Sequence, residues 1–583
     1  MRAHLKRYGP LYAIIVVGAA LRVTGIGFAP SVHRARPDEE LFIQQALFLF
    51  SGDWNPHWAA NGWPEGYFFL THLALQLKLW WLELTTGGPV NLGCLYVLNP
   101  SELSVPARLV ACVFGVATLP LTFFFARDVL RRHGERLAHF GAAVAAAIVA
   151  VNVLHVRDSH FAVSDTAVVF FMSLGLWQLT RVVDRGHRRA LFYAAAAFGI
   201  ASSIKYTGLV MLGMLALVAL GHFFQSAPSQ RRRALGAGLA ALLVFGIAFA
   251  MASPHVLEEP DAFLEGLRSH QVRYSEGGST WGYETGREAV SGLRFHGLVS
   301  IPAALGWPLW LLSIAGVARG LWRAHGGAFV VAFFALAFYG GVLGPSTVLF
   351  MRYTQPLYPA LAVLAVLVPV EALAAYGIET SDLRLRIAGP LVVALALALP
   401  LYHSARADAL MLQDDTRDQA LAWLAEHTTA EQTVLSQSSF IAVSTADSQA
   451  IQACTDALPA SLQRPAIAHG HDGDWRGWIE MGPGGWGPLV REFLVRSTDR
   501  GSATSAAYVV QTQPQLTCGE EVVFGRPTAL RDCFHEVARF APGDSSCATL
   551  YDTFDMYMQP LLWPHEVSRP GPLVIVYENG CNP

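Results

Sequence analysis

Long apolar runs separated by short polar segments dominate the first two thirds of the chain. A run of about 17 to 25 apolar residues is long enough to cross a bilayer as a helix. Eleven such runs lie near residues 10–30, 105–126, 138–154, 161–180, 190–204, 206–224, 235–252, 297–318, 327–343, 355–375 and 388–402. The pattern predicts a polytopic α-helical membrane protein with about eleven transmembrane helices.

The pattern changes after Tyr402, where polar residues take over and the apolar runs become short. Residues 414–426 have helical spacing, and brief β-like runs follow at 433–435, 508–510 and 573–577. We therefore predict two parts: a transmembrane module over residues 1–403 and a soluble mixed α/β domain over residues 404–583. The second part has an ordinary domain size.

Composition agrees with this division and limits the function classes. Only 15% of the 583 residues are charged, against about 25% in an average soluble domain, so much of the chain lies in a lipid bilayer. A net charge of −3 gives no sign of a nucleic-acid partner. Abundant Ala and the use of Arg in place of Lys indicate a bacterial genome, and hence the bacterial inner membrane.

Arg and Lys in short loops predict the orientation, because such residues concentrate on the cytoplasmic side. With a cytoplasmic N-terminus, the Arg clusters at 127–136, 181–189 and 231–233 all fall inside. The segments 31–104 and 253–296 then fall outside, and both contain more acids than bases. An odd number of spans places the C-terminal domain on the outer, periplasmic side as well. We interpret the first run as an uncleaved anchor rather than a signal peptide.

The cysteines support an outer location for the C-terminal domain. Five of the seven lie in it, and Cys94 and Cys112 lie in the membrane part. Cysteines clustered in one polar domain are typical of an oxidising compartment and predict up to two disulfides with one cysteine left over. Five unpaired thiols remain the alternative.

Acidic residues follow directly after the first apolar run, in Arg36-Pro37-Asp38-Glu39-Glu40. The pattern predicts an amphipathic helix lying on the membrane, with Asp38 and Glu39 in its first turn and Glu40 solvated. The helix dipole favours carboxylates there, which is a sufficient structural reason for them. Charges at the edge of a bilayer often have a function as well.

Further ionisable residues are predicted on the same face of the membrane. His155 and Arg157 end the third run, and Asp165 enters the fourth; a purely structural Arg157–Asp165 ion pair is the alternative to a functional role. Lys205 lies between two runs, where its ammonium suits a phosphate or a snorkelling position.

The second outer segment and the tenth run add cations to this face. His255 and Arg273 lie in the segment 253–296 among further Arg and aromatic residues, and Arg352-Tyr353 precedes the tenth run. Arg forks match phosphate oxygens, and aromatic rings stack on sugars. Together these residues indicate an anionic, sugar-bearing ligand. The sequence has no zinc-type Cys/His spacing and no phosphate-binding Gly loop.

These motifs together resemble the GT-C superfamily of membrane glycosyltransferases, and most closely the family of protein O-mannosyltransferases and aminoarabinose–lipid A transferases, glycosyltransferase family 39. The resemblance rests on the order of several short motifs: Asp38-Glu39, Gly52-Asp53-Trp54-Asn55-Pro56, Tyr67-Phe68, His155-x-Arg157-x-Ser159-His160-Phe161 with Asp165, Ser203-x-Lys205-Tyr206-Thr207-Gly208, Ser253-Pro254-His255 and Arg352-Tyr353-x-x-Pro356. One departure stands in the first outer segment, where Trp63-Pro64-Glu65-Gly66-Tyr67 replaces the family's usual Lys-Pro-Pro.

The resemblance implies a function and roles for the residues. Such enzymes transfer a sugar from a polyprenyl-phosphate carrier to a hydroxyl acceptor on the extracytoplasmic face, and the acceptor here would be a protein, lipid A or a glycan. Asp38 would be the catalytic base, and Glu39 would orient Asp38 or the sugar. The donor's phosphate and sugar would be bound by residues from the whole length of the module, namely Lys205, Arg273, Arg352, Tyr353, Arg157, His155, Asp165 and His255.

The leaving group bears on the need for a metal. A polyprenyl phosphate leaves without much acid assistance, so we expect that no metal or other cofactor is required. Two alternatives stay open: a transporter or flippase of a lipid-linked or anionic substrate, and a metal-dependent oligosaccharide transferase or polymerase.

Overall fold

The computed structural model describes most of the transmembrane part and several separate pieces of the C-terminal part. The described residues are 2–32, 35–36, 38–56, 62–275, 291–377, 383–429, 432, 434–436, 454–463, 506–513, 533–543 and 567–580. Trp281, Asp472 and Asp474 are among the residues outside this description, and so is the side chain of Arg273.

Helices make up most of the described residues between Arg2 and Thr429. They are α1 (Arg2–Val23), α2 (Glu39–Phe48), α3 (Gly66–Thr86), α4 (Leu92–Leu98), α5 (Ser101–Leu130), α6 (Glu135–Ala150), α7 (Val153–Arg157), α8 (Asp165–Arg185), α9 (Arg188–Ile204), α10 (Val210–Gln225), α11 (Arg231–Ala252), α12 (Pro260–Ser275), α13 (Gly292–Phe295), α14 (Ile301–Leu305), α15 (Trp307–Arg323), α16 (Gly326–Phe338), α17 (Tyr358–Ala375), α18 (Leu383–Met411) and α19 (Thr416–His427).

The fold class predicted from the sequence is confirmed: the chain is a multi-pass, mostly helical membrane protein with a small C-terminal sheet. Each of the eleven apolar runs overlaps a helix. Among the described residues, seven helices are long and apolar enough to cross a membrane, or nine if each of two bent pairs forms one span. The helix α9 has 17 residues and is not among these. Nor is α1, which carries basic residues towards both ends.

Glycines allow the helices of the bundle to approach closely. The helix α9 packs between α8 and α11, and a Cβ at Gly199 would lie 2.4 Å from the carbonyl oxygen of Phe245. A Cβ at Gly316 of α15 would likewise lie 2.1 Å from the carbonyl oxygen of Leu364 in α17. Small residues are typical of helix interfaces in membranes, where close backbone contact replaces the hydrophobic effect as the source of stability.

The helix that follows Asp38 is buried in the protein, so the prediction that it lies on the membrane is wrong. Phe42, Ala46 and Leu47 of α2 are all buried, because α2 packs against α3 and α5. The exposed large apolar side chains among the described residues between Asp38 and Ser104 are Trp54 and, on α3, Leu73, Leu77, Trp80, Trp81 and Leu84.

The described C-terminal residues form a four-stranded sheet of order β1-β2-β4-β3, from β1 (Val434–Ser436), β2 (Tyr508–Gln513), β3 (Phe534–Phe540) and β4 (Leu573–Asn579). The first pair is parallel and the other two pairs are antiparallel. The β-like runs expected from the sequence fall on β1, β2 and β4, and α19 packs against β3 and β4. The helix α18 continues past residue 403 to Met411, while the domain division itself stays a prediction.

A disulfide joins Cys94 of α4 to Cys454 of the C-terminal part. This differs from the expectation of bonds among the five C-terminal cysteines only. Cys533 is also disulfide-bonded, and Cys112 is a buried free thiol. The Cys94–Cys454 bond places these two cysteines together, while the side of the membrane on which they lie stays a prediction.

Candidate active site

Asp38 and Arg352 form the ion pair around which the site is organised. Asp38 is the N-cap residue of α2, and Arg352 lies in the 3₁₀ turn that precedes α17. Arg352 Nη2 lies 2.7 Å from Asp38 Oδ2, and the Asp38 side chain keeps 31% of its surface exposed. A carboxylate that is both paired and accessible can still accept a proton from a bound substrate.

Lys205 brings a second ion pair close to the first. Its Nζ lies 2.7 Å from Asp165 Oδ1 and 5.7 Å from the centre of the Tyr353 ring, next in the chain to Arg352. Arg352 also interacts electrostatically with Asp165. We call Asp38, Arg352, Tyr353, Lys205 and Asp165 the Asp38 cluster. The alternative of an Arg157–Asp165 pair is wrong, because Asp165 pairs with Lys205.

Glu39 is directed away from the Asp38 cluster and into the protein. Its two oxygens accept hydrogen bonds from Arg108 Nε at 2.8 Å and Arg108 Nη2 at 2.9 Å. The backbone amide of Ala162 donates a third at 2.9 Å. Arg108 also donates to the carbonyl oxygens of Ile26 and Phe28. Glu39 therefore ties the start of α2 to α5 and, through Arg108, to the segment that follows α1.

Glu40 is buried, so the prediction of a solvated carboxylate is wrong. It accepts a hydrogen bond from the Tyr96 hydroxyl at 3.0 Å and another from Gln44 Nε2 at 3.0 Å. Tyr96 belongs to α4, which covers this side of α2. The sequence does not reveal this cover, because α4 is short and lies 52 residues beyond Gln44.

Arg157 and His155 occupy a buried layer behind the cluster. Arg157 Nε donates to Asp158 Oδ1 at 2.9 Å, and Gln355, three residues after Arg352, donates to the other oxygen of Asp158. His155 lies 2.9 Å from Arg22 Nη2 and is fully buried. The described side-chain contacts of Arg157 and His155 are thus with other buried residues of the protein.

His255 pairs with Glu65, which lies in the motif that departs from the family pattern. Glu65 Oε2 lies 3.1 Å from His255 Nδ1 and 3.3 Å from the His255 backbone nitrogen. Burial raises the pKa of Glu65, and the charge interaction with His255 opposes this. The Glu65 carboxylate is buried. Its position in a polar loop of the sequence gives no sign of this burial or of its pairing with His255.

The same loop joins His255 to the turn that carries Lys205. Ser253 Oγ accepts a hydrogen bond from the Glu65 amide at 3.0 Å and donates to the Ser203 carbonyl at 3.3 Å. A Cβ at Gly66 would lie 2.8 Å from that carbonyl oxygen, so the approach requires glycine. Three separate sequence motifs therefore meet immediately beside Lys205.

The helix α12 packs over this turn. His270 of α12 stacks on Tyr206 with 5.0 Å between ring centres, and a Cβ at Gly62 would lie 2.7 Å from the backbone of Gly266. Arg273 lies one turn further along α12. Its predicted contact with the donor stays a prediction. Within the described parts of the chain, no group of three or more His, Cys, Asp or Glu side chains is arranged to hold a metal ion.

One protein-family model matches a part of the chain that contains Lys205 and Asp165 of the Asp38 cluster. The model for dolichyl-phosphate-mannose-protein mannosyltransferase matches residues 99–254. That region includes His155, Arg157, Asp165 and Lys205. The resemblance indicated by the sequence motifs is thereby confirmed over this region. None of the curated proteins compared with the chain matches it.

Several solved membrane glycosyltransferase structures are similar to the chain. The apo oligosaccharyltransferase of Archaeoglobus fulgidus has 13% identity and a TM-score of 0.49, over 87% of this chain and 70% of that one. The same enzyme tethered to an acceptor peptide has 14% identity and a TM-score of 0.45, over 73% of this chain and 57% of that one. ArnT from Cupriavidus metallidurans bound to undecaprenyl phosphate has 18% identity and a TM-score of 0.45, over 87% and 93% of the two chains.

Proposed function

We propose that the chain is an inverting glycosyltransferase that transfers a sugar from a polyprenyl-phosphate carrier to a hydroxyl acceptor. The observation that carries this proposal is the Asp38–Arg352 ion pair with Lys205 beside it. An accessible carboxylate next to two cations provides the groups that this reaction needs: a base for the acceptor and a binding site for the departing phosphate. The family match over residues 99–254 supports the same reaction class.

The donor phosphate binds to Arg352 and Lys205. A guanidinium has five N–H donors, so Arg352 can contact a phosphate while it keeps its hydrogen bond to Asp38. Tyr353, at 5.7 Å from Lys205 Nζ, offers a ring surface to the sugar. His255 and Arg273 serve the donor from the outer side, where α12 covers the Lys205 turn. Arg157, His155 and Asp165 support this arrangement from behind.

In the chemical step, the anomeric carbon of the sugar forms a bond to the acceptor oxygen and loses its bond to the phosphate oxygen. The acceptor oxygen attacks this carbon as the bond to the phosphate oxygen breaks on the opposite face, which inverts the configuration. Asp38 takes the acceptor's hydroxyl proton, and the bond electrons leave with polyprenyl phosphate. Arg352 and Lys205 stabilise the charge that develops on this leaving group, as preorganised cations do in other transfer reactions. Glu39 acts by holding Asp38 in place.

The location of the site completes the proposal. The reaction takes place on the extracytoplasmic face of a bacterial inner membrane, with the N-terminus cytoplasmic and the C-terminal domain periplasmic. No metal or other cofactor is required, because the two cations supply the electrostatic stabilisation. Activity that is retained in excess chelator would support this, and activity that requires an added divalent ion would contradict it.

The test uses the purified full-length chain in proteoliposomes with a polyprenyl-phosphate-linked sugar. The expected result is release of polyprenyl phosphate that depends on an added hydroxyl acceptor and is lost in Asp38→Asn. An Asp38→Asn variant that folds and keeps full transfer activity would overturn the assignment of the base. Movement of the intact donor across the bilayer without cleavage would support a flippase instead. Mass spectrometry of glycoproteins and envelope lipids from a deletion strain would identify the acceptor.

A further inference from the structure

A buried arginine of the C-terminal domain contacts the backbone just before Asp38. Arg417 of α19 is completely buried, and its Nη1 and Nη2 each lie 3.3 Å from the carbonyl oxygen of Ala35. The same guanidinium donates to Asp415 through Nε at 2.8 Å and Nη2 at 2.6 Å. Asp415 therefore orients Arg417, and Arg417 holds the chain three residues before Asp38.

The neighbouring residue provides a second contact to the same segment. Asp418 Oδ1 accepts a hydrogen bond from the backbone amide of Ser31 at 2.9 Å. Consecutive residues of α19 thus hold two points of the connection between α1 and α2, at Ser31 and at Ala35. Both contacts are made to backbone atoms, so the side chains at residues 31 and 35 give no indication of them in the sequence.

The start of α19 is in turn held by the loop that precedes β4. The backbone amide of Thr416 donates to the Pro570 carbonyl at 3.1 Å, and its hydroxyl donates to the Pro572 carbonyl at 2.6 Å. Gly571 has a φ of +100°, and a Cβ there would lie 2.1 Å from Thr416 Oγ1. Only glycine suits this conformation and this close approach. The position of Arg417 therefore depends on the sheet of the C-terminal domain.

The transmembrane part holds the segment on either side of Asp38. The guanidinium of Arg36 lies over the Phe161 ring at 4.3 Å from its centre, and Glu39 is held by Arg108 and Ala162. The C-terminal domain thus contacts this segment at Ala35, and the transmembrane part contacts it at Arg36 and Glu39. Asp38 lies between these points, with its carboxylate directed to Arg352.

We propose that Arg417 is a positioning residue, through which the C-terminal domain holds Asp38 in the geometry of its pair with Arg352. Asp415 and the loop 569–572 set the position of Arg417. Asp418 holds the same segment at Ser31. The C-terminal domain then contributes to the geometry of the site. The part of this proposal that concerns catalysis rests on the proposed glycosyltransferase function, whereas the contact between the domain and residues 31–40 does not.

Hydrogen–deuterium exchange of the full-length chain tests the contact without reference to activity. In Arg417→Lys, the charge beside Asp415 is kept but the fork to the Ala35 carbonyl is lost. We expect amides of residues 31–40 to exchange about 10-fold faster, a change equivalent to about 1.4 kcal/mol in the opening equilibrium, while peptides of α8 are unchanged. Asp418→Ala should accelerate the Ser31 amide in the same way.

Two controls make this experiment decisive. Arg539→Lys changes an exposed arginine of β3 that is paired with Glu536, and it should leave exchange at residues 31–40 unchanged. Exchange of β2 and β4 peptides shows whether the domain itself stays folded in Arg417→Lys. If that variant is unfolded, Asp418→Ala decides alone. Wild-type exchange at residues 31–40 in a folded variant would overturn the proposed contact, whatever the activity.

Kinetics test the positioning role. The reaction rate is divided by the concentration of sites that bind polyprenyl phosphate. The resulting kcat then refers only to molecules that can bind the donor. We expect kcat in Arg417→Lys to fall about 10-fold with KM for the donor within about twofold, because Arg352 and Lys205 still bind the phosphate. Faster exchange with an unchanged kcat would overturn the positioning role. Wild-type protein that binds the donor but never releases polyprenyl phosphate would overturn the proposed function and leave the exchange result to decide the contact.

Discussion

Arg352 Nη2 lies 2.7 Å from Asp38 Oδ2, which joins the beginning of α2 to the turn before α17. The two residues come from opposite ends of the transmembrane part, yet they form the accessible ion pair of the Asp38 cluster. Because a guanidinium can contact a carboxylate and a phosphate at once, this pair joins the proposed base to the proposed phosphate site.

Replacing Arg352 with lysine should separate the effect of charge from that of geometry. Arg352→Lys keeps the cation but loses the planar fork, so we expect kcat/KM to fall by about 10-fold to 100-fold. Arg352→Gln, which lacks the charge, should lose more. The measurement is release of polyprenyl phosphate in proteoliposomes, with Arg539→Lys as the matched control. Equal activity in wild type and Arg352→Lys would show that the fork is not used.

The Lys205–Asp165 pair should respond differently to the loss of each partner. Lys205→Met removes a proposed phosphate contact, and we expect the Kd for polyprenyl phosphate to rise about 10-fold or more. Asp165→Asn removes only the partner of Lys205 and should lower thermal stability while the Kd changes less. Isothermal titration and thermal unfolding of both variants check this. A Lys205→Met protein that binds the donor normally would assign Lys205 a purely structural role.

The buried Glu39–Arg108 pair should be important for stability. Removing one member of a buried ion pair typically costs about 3–5 kcal/mol, because the other charge is left buried without its partner. We therefore expect Arg108→Met and Glu39→Gln each to lower the unfolding free energy strongly in denaturant titrations. The control is Lys78→Met, which breaks the more exposed Lys78–Glu102 pair and should cost about 1 kcal/mol or less. Similar losses in the two pairs would argue against a buried anchor at Glu39.

The Cys94–Cys454 disulfide should stabilise the attachment of the C-terminal domain. It closes a long loop, with a sequence separation of 360, and removal of a native disulfide typically costs about 2–5 kcal/mol. We expect Cys94→Ala, Cys454→Ala and the double variant to show equal losses of thermal stability. Maleimide labelling should detect one new thiol in each single variant and none in the double variant. Different losses in the two single variants would show that the cysteines act independently.

The amino-acid sequence by itself was enough to predict the fold class and the family resemblance, and it named the residues of the candidate site. Spanning helices need long apolar runs whatever their neighbours are, so the apolar pattern alone predicted a multi-pass helical protein. The predicted orientation put Asp38, Lys205 and Arg352 on one face, and the structure places these three residues in one cluster. The short motifs around them carried the family resemblance, because their order along the chain is visible without a structure.

Only the tertiary structure decided which groups are partners. Glu39 and Glu40 follow Asp38 directly and look alike in sequence, but Arg108 binds the first and Tyr96 the second. Asp165 pairs with Lys205 rather than Arg157, and Arg417 donates to a backbone carbonyl three residues before the proposed base. Ion pairs and buried hydrogen bonds depend on distances of about 3 Å between atoms far apart in the chain. Hydrophobic periodicity predicts where the helices lie along the chain, but it does not determine which polar atoms meet between them.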